Sequence, residues 1–419
     1  MTESVDLIVA GAGAAGLMAA IQAARVQPQG RLLLLDGQAR PGAKLLVSGG
    51  GRCNLTNRLV GGEDFQGEAP ALRGAVLRAL PVPATLDFFH SLGLVTVEES
   101  GGRIYPASQQ ARDVHRALWD EVRRLAIPCR LAFPVADVIR QADGFRLAGP
   151  AGCLHARRVV LALGGRSLPR SGSDGSGLEL ARGLGLRVNG PLVPGLAPLR
   201  LPEGHPLTQL AGISQPVELR WTGPAPNRCR GALLCTHFGV SGPAVLDASR
   251  QVLRALAEGR EPRLRVDWLP EVPEETLRRR LSAPGGSPRL RARLQAELPG
   301  RLLDLQLERA GLGREQEVAQ LPRERRERLL GLLKAEPLPV TGARSWHHAE
   351  VTAGGVSLTE LDPGTLESRA VPGLHVCGEL CDVDGRLGGF NFQWAWTSGW
   401  VAGQAAARLL DGRRPDAVH

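Results

Sequence analysis

Apolar residues open the chain as an unbroken run. Val5 to Ala10 contains one polar side chain, Asp6, and reads as a buried strand. The spacing then changes in "GAGAAGLMAAIQAAR", where glycines lead into a helical pattern. Leu32 to Asp36 is a second apolar strand, ending in an acid. Val159 to Leu163 and Leu374 to Cys377 are further short apolar runs of the kind found in parallel sheets. From about Asn391 to Leu410 the pattern is helical, with Phe392, Trp396 and Trp400 at i, i+4 spacing, as expected of core positions. Strands and helices thus alternate at both chain ends.

The middle reads differently. Residues 190 to 270 mix prolines with short apolar runs such as "GALLCTHFGV", which predicts a β-rich region. Residues 274 to 333 carry helical patterns in "EETLRRRLS", "LRARLQAELPGRLLDLQLERAG" and "RERRERLLGLLK". "VDLIVAGAGAAGLMAAIQAA" has the length of a membrane span, but its glycine spacing and Asp6 predict a strand, a turn and a helix. There is no second candidate span, so a cytoplasmic protein without membrane contact is expected.

Composition narrows the classes. The 419 residues suffice for two or three domains with large cores. The net charge is +9, yet 49 of the 51 basic residues are arginines and they are scattered among acids. Solvated faces are the expectation for these runs, and nucleic-acid binding is not expected from them. Seven widely spaced cysteines form no CxxC pair, which predicts neither a disulfide framework nor a metal site.

The first motif carries specific chemistry. Gly11, Gly13 and Gly16 have GxGxxG spacing between a strand and a helix. Gly11 permits the turn, Gly13 lets the backbone approach a pyrophosphate, and Gly16 lets helix and strand pack closely. Ala14 and Ala15 open the helix, whose N-terminus favours anions. Asp36, 20 residues beyond Gly16 and followed by Gly37, is placed to accept hydrogen bonds from ribose hydroxyls. An acid there favours NAD or the adenosine end of FAD over NADP.

"SGGGRCNLTN", residues 48 to 57, begins 12 residues after Asp36. Its glycines, with Gly50 and Gly51 foremost, suggest a backbone lying against a flat, non-protein group. Gly164 and Gly165 follow a strand and read equally as a dinucleotide-passing turn or an ordinary strand exit. The segment "VPGLHVCGELCDVDGRLGGFNFQWAWTSGW" resembles the closing part of FAD proteins related to glutathione reductase. That resemblance implies that Gly378, Glu379 and Asp384 meet the ribityl chain. It also implies that Gly388, Gly389, Phe390 and Asn391 lead a helix N-terminus toward the flavin. In the fold of the FAD proteins that this chain resembles, the "SGGGRCNLTN" region crosses the cofactor, which implies that Lys44 and Arg52 face its negative charge, with Cys53 close by and Asn54 and Asn57 near the polar edge of the ring.

Together, "GAGAAGLMAA", "PGAKLLVSGGGRCNLTN", "GRIYPASQQARDV", "ALGGRSLPRSGSDGSG", "THFGVSGPAVLDAS", "AEVTAGGVSLTEL" and the closing segment resemble the BaiN/YhiN-like flavoprotein family. Its members are described as NAD(P)/FAD-dependent oxidoreductases or as aminoacetone-oxidase-like. The resemblance implies an α/β, Rossmann-like FAD-binding domain of the glutathione-reductase type, built from residues 1–189 and 336–419. A β-barrel-like insertion at 190–272 and a helical one at 273–335 are expected between them. FAD is the implied cofactor.

No second GxGxxG unit is present, so NAD(P)H is expected, if used, as a transient donor. The leading expectation is hydride transfer between flavin and a small molecule. A tRNA-modifying flavoenzyme and a non-enzymatic flavin-binding redox sensor are the alternatives. No catalytic residue is assigned. Cys53, Cys377 and Cys381 read as small buried hydrophobes, and Tyr105 as a packing residue. His347 and His348, on a strand, would face opposite sides. His237 precedes a helix expected to be capped by Ser241. Oligomeric state is not readable.

Overall fold

The first apolar run forms strand β1 (Glu3–Ala10), with Leu7 to Ala10 buried. The chain turns through Gly11 to Gly13 into helix α1 (Ala14–Val26) and returns as β2 (Leu32–Leu35). In the computed structural model, which describes residues 3–223, 227–282 and 287–411, β2 runs parallel to β1, with Leu7 opposite Leu32 and Ala10 opposite Leu35. Helix α2 (Ala43–Gly51) follows, broken at Ser48 to Gly50.

On the other side of β1 lies β3 (Gly152–Leu161), also parallel. It starts seven residues earlier than its apolar run suggests. Its first half alternates buried and exposed residues because it pairs, antiparallel, with Gly144–Gly149. Its second half pairs in parallel with β4 (Leu374–Val376), which comes from the far end of the chain. The sheet therefore runs from Cys129–Arg130 through β2, β1 and β3 to β4. All four labelled strands are parallel, so their C-terminal ends share one edge. Ligands of open α/β sheets bind at that edge.

Helix α3 (Phe390–Arg408) closes this part of the molecule. It packs against α1 through small residues: a Cβ on Gly399 would collide with the Ala15 carbonyl, and one on Gly403 with the Ala19 carbonyl. Trp394 and Trp396 are wholly buried, and their indole N–H groups donate to the carbonyls of Gly378 and Leu55 at 3.0 and 2.9 Å. Large apolar area is thus buried without an orphaned donor.

The chain divides into two compact units, residues 1–192 with 350–419, and residues 193–349. The second unit holds a seven-stranded antiparallel sheet. Its end strands, Glu336–Pro337 and Gly342–Ala343, are neighbours in the chain. Seven flat strands would span about 29 Å at ~4.8 Å each. The link from Pro337 to Gly342 reaches at most about 19 Å at ~3.8 Å per residue. The sheet must therefore curl strongly toward closure. Helix Pro243–Ala257 packs on it, and helices Glu274–Arg280, Leu290–Leu294, Gly300–Arg309 and Arg323–Lys334 complete the unit. The wholly buried Glu336 ties sheet to helices, accepting from Trp268, Gln306 and Arg309.

Two local expectations change. Helix Pro243–Ala257 takes Gly242 as its N-cap, because Ser241 is already committed to the strand Gly239–Ser241. His347 and His348 lie in a short 3-10 turn, Trp346–His348, and both are exposed. They are therefore not on a strand.

Candidate functional site

The turn between β1 and α1 separates the glycines by task. A Cβ on Gly16 would collide with the Gly11 carbonyl, and one on Gly11 with the Ala162 carbonyl, so both are fixed by packing. A Cβ on Gly13 would meet nothing within 4 Å. Gly13 is the N-cap of α1 and no side chain caps the helix. Bare backbone and uncapped N–H groups therefore face the same opening, the arrangement that holds phosphate. Ala14 is half-buried there, whereas Ala15 is buried under α3.

Asp36 stands at the end of β2. Its carboxylate accepts from Ala12 N and from Gln38 N, both at 2.7 Å. Burial holds its pKa above the usual carboxylate value, an effect that the two backbone donors only partly offset. The acid thus braces the glycine turn from the second strand. Gly37 follows, packed against Pro134.

The run "SGGG" breaks α2. Gly49, Gly50 and Gly51 have φ of 55°, 69° and 83°, a left-handed stretch that residues with side chains rarely adopt. A Cβ on Gly50 would again meet nothing within 4 Å. Three glycines are needed because three successive positions share this conformation. Arg52 returns to φ −97°, and Cys53 again has a positive φ, 57°, with its thiol fully buried.

A polar cluster joins the two chain ends beside this run. Lys44, on α2, forms an ion pair with Glu379, just past β4, and donates to Ser167 Oγ at 2.5 Å. Glu379 also accepts from Ser167 Oγ at 2.8 Å and from Thr352 N at 2.9 Å. Thr352 Oγ1 in turn accepts from the backbone N–H groups of Arg166 and Ser167. Gly165 fits against Thr352 and Glu379, where a Cβ would clash. Gly164 packs on Ser173. Sequence pattern alone misses Ser167 and Thr352; the one signal for Ser167 is a hydroxyl two residues beyond a glycine pair.

The opening stretch meets the closing one directly. Asn57 Nδ2 donates to Gly388 O at 3.1 Å. With its amide oriented to satisfy both ends, Asn54 accepts from Gly389 N at 3.1 Å. A Cβ on Gly389 would collide with Thr56. These contacts fix the start of α3.

Other predicted residues are engaged elsewhere. Arg52 stacks over Tyr105 at 4.4 Å and points its guanidinium at Glu99 and Gln109, both at 3.3 Å. Asn57 is taken by Gly101 O, Gly388 O and Leu59 N. Phe390 is wholly buried, edge-on to Phe65. Asn391 closes a two-bond ring with the Gly385 backbone at 2.8 Å. Asp384 is buried in the short strand Asp384–Gly385, which pairs with Phe65–Gln66. Gly378 sits where α1 meets α3, with its N–H held by Ser398 Oγ.

Burial pushes the Cys53 and Cys377 thiols up to about 12, and Cys381 well above its usual value. None is poised as a thiolate at neutral pH. Tyr105 is buried, and its hydroxyl oxygen accepts from Arg52 at 3.3 Å.

These residues fit FAD. The uncapped N-terminus of α1, the open Cβ positions of Gly13 and Gly50 and the acid that ends β2 are the kinds of group that a dinucleotide needs.

Comparison with known proteins agrees. Residues 5–405 match the model of the family described as HI0933-like protein Rossmann domain. The chain is 35% identical over 406 residues to the 3-dehydro-bile acid delta(4,6)-reductase of Clostridium scindens, covering 95% of this chain and 98% of that one. It is 34% identical over 406 residues to the ribosomal RNA dihydrouridine synthase of Escherichia coli, covering 96% and 98%. Among solved structures, the FrdA chain of Escherichia coli quinol fumarate reductase superposes with a TM-score of 0.54 at 16% identity, covering 99% of this chain and 72% of that one. That likeness shows a shared fold. The chain belongs to the HI0933-like Rossmann-domain family and is a flavoprotein oxidoreductase with the α/β Rossmann-type FAD-binding fold.

Proposed function

We propose that the protein reduces a carbon–carbon double bond conjugated to a carbonyl, that NADH or NADPH supplies the electrons, and that the reduced ring is uracil within an RNA chain. The full-length likeness to two reductases carries the first part. Their names describe different molecules but one reaction type: the 4,6-double bonds of a 3-oxo steroid and the ring double bond of uridine are both conjugated with a carbonyl. In the reduction proposed for this chain, a hydride adds to the carbon remote from the carbonyl and a proton to the nearer one. The chain has no second dinucleotide-binding motif, which suits a nicotinamide that docks and leaves.

FAD, when bound, supplies the hydride. This chain's own residues bind and orient it. The α1 N-terminus favours the pyrophosphate, Asp36 the ribose, and the glycine run from 49 to 51 lets backbone pass close to a flat ring. Lys44, Ser167, Thr352 and Glu379 form a pre-assembled polar group that joins the two chain ends.

The charge distribution favours RNA over a neutral substrate. The unit of residues 193–349 has 24 basic and 17 acidic residues, whereas the remainder has 27 and 25. Most of the excess charge lies in one unit, which suits a polyanion. A small-molecule enone is the second reading, favoured by the bile-acid reductase likeness.

Anaerobic mixing with NADH and with NADPH tests the donor: one of them should bleach the flavin band, and bleaching by neither would end the reductase reading. Incubation with unmodified ribosomal RNA or with a 4-en-3-one steroid then separates the substrates. Dihydrouridine appearing in the RNA is the expected result.

A further inference from the structure

In the unit of residues 193–349, three adjacent strands carry arginines directly opposite one another. Arg220 ends strand Ser214–Arg220. Arg228, which begins strand Arg228–Thr236, is its partner on one side, and Arg265, which begins strand Arg265–Asp267, is its partner on the other. Directly opposed residues project from the same face of a sheet, and like charges in that position oppose pairing. All three are exposed. The other face of these strands is the core face, with Val217, Leu219, Leu233 and Val266 buried.

The anions nearby do not neutralise the row. Glu218 is almost fully buried and is shared: its carboxylate accepts from Arg220 Nε at 2.5 Å and from Arg230 Nε at 2.6 Å. It grips Arg220 at Nε, which leaves the terminal nitrogens without a partner among the described residues. Arg265 donates to a neutral group, the Ala335 carbonyl, at 3.2 Å. The Arg228 side chain has no hydrogen-bond or ion-pair partner among the described residues. A buried carboxylate two residues away on the same face thus positions Arg220, the middle member of the row, and all three arginines are exposed. Neighbouring strands lie about 5 Å apart, so the three charges form a short, evenly spaced line. A phosphodiester chain offers monoanions in just such a repeating line, and guanidinium forks match phosphate oxygens.

We propose that the Arg228–Arg220–Arg265 row is a binding surface for the phosphate backbone of RNA. The assignment rests on the RNA reading above and goes beyond it by naming the surface.

The test is fluorescence anisotropy of a labelled uridine-rich RNA oligonucleotide with the FAD-loaded protein, as a function of salt. The comparison is with R220Q/R228Q/R265Q, and dihydrouridine formation in ribosomal RNA is measured in parallel. Each lost phosphate contact removes about 0.7 from the log–log salt slope for a single strand. The triple variant should lose about 2 and bind at least tenfold more weakly at low salt, with flavin reduction by NAD(P)H unchanged. R228Q alone, which breaks no ion pair among the described residues, should lose about 0.7 and guards against a folding defect in the triple variant. R220K/R228K/R265K should keep most of the slope. Tight wild-type binding with an unaltered slope in R228Q and the triple variant would overturn the row and leave the RNA reading standing. No wild-type binding at low salt would overturn both. Loss of binding in the variant without any dihydrouridine would support the row and reject uracil as the reduced ring.

Discussion

Lys44 and Glu379 lie 335 positions apart and form one ion pair, closed by Ser167 between them. Lys44 comes from the helix after β2, Glu379 from the turn after β4. The pair therefore reports whether the two chain ends have assembled. Both side chains are largely shielded, at 25% and 19% exposure.

Loss of either partner should destabilise the protein. Charge-assisted hydrogen bonds in such settings contribute about 1.5–3 kcal/mol. K44M and E379Q should each lower unfolding free energy by about that amount. K44M/E379Q should lose clearly less than the sum, because the second change removes a charge the first left unpaired. Denaturant titration of the three variants checks this; additive losses would show that the pair is not coupled.

The glycines of the first turn should separate binding from folding. Gly13 has an ordinary φ of −76° and an open Cβ position. G13V should melt close to wild type without cofactor, yet bind FAD at least tenfold more weakly. G16V should fail to fold or melt far lower, since its Cβ would strike the Gly11 carbonyl. Thermal melts with and without FAD distinguish the two.

The cysteines near the site should be inert. Cys53, Cys377 and Cys381 are fully buried, while Cys153 is exposed. Native protein treated with a thiol reagent should react promptly at Cys153 and not at these three. C53A should keep flavin reduction by NAD(P)H within about twofold, with any loss traced to the packing of one small side chain. Abolished reduction in a folded, flavin-loaded C53A protein would assign the thiol a chemical role.

Much of this was legible in the chain, for identifiable reasons. Gly11, Gly13, Gly16 and Asp36 announce themselves because their tasks are local: a turn, an approach and an acid one strand away. The meeting of "SGGGRCNLTN" with "LGGFNF" was legible only through the resemblance. Spacing describes neighbours within an element and says nothing of a contact such as Asn57 with Gly388, 331 positions away. For the same reason spacing places Arg52 beside the glycines but does not show that Glu99 and Tyr105, on two later strands, are its neighbours. The burial of Phe390 and the closed ring of Asn391 with Gly385 depend on a short strand pair, Asp384–Gly385 with Phe65–Gln66, too brief to leave a pattern. The opposed arginines on three strands required the register.

Acid should weaken the fold through His375. This residue is wholly buried on β4; its Nδ1 meets the Thr365 carbonyl at 2.9 Å, and Arg158, itself paired with Glu367, lies against Nε2. Burial pushes its pKa down from 6.5 to about 4. Above pH 6.5 both folded and unfolded chains hold it neutral. Below that the unfolded chain gains a proton that the folded one refuses until about pH 4. Stability should fall across that window by up to about 3 kcal/mol, because each tenfold difference in proton affinity between the two states is worth ~1.4 kcal/mol. Unfolding titrations from pH 7 to 4 should show this slope, and H375Q should flatten it.

The account depends most on a single cradle for FAD formed by both chain ends. Titrating cofactor-stripped protein with FAD, and following flavin fluorescence, measures it directly. Saturation at one FAD per chain, with the affinity reduced at least tenfold in G13V, is the predicted result. Protein that stays folded but takes up no FAD, or takes it up equally well in G13V, would contradict the account.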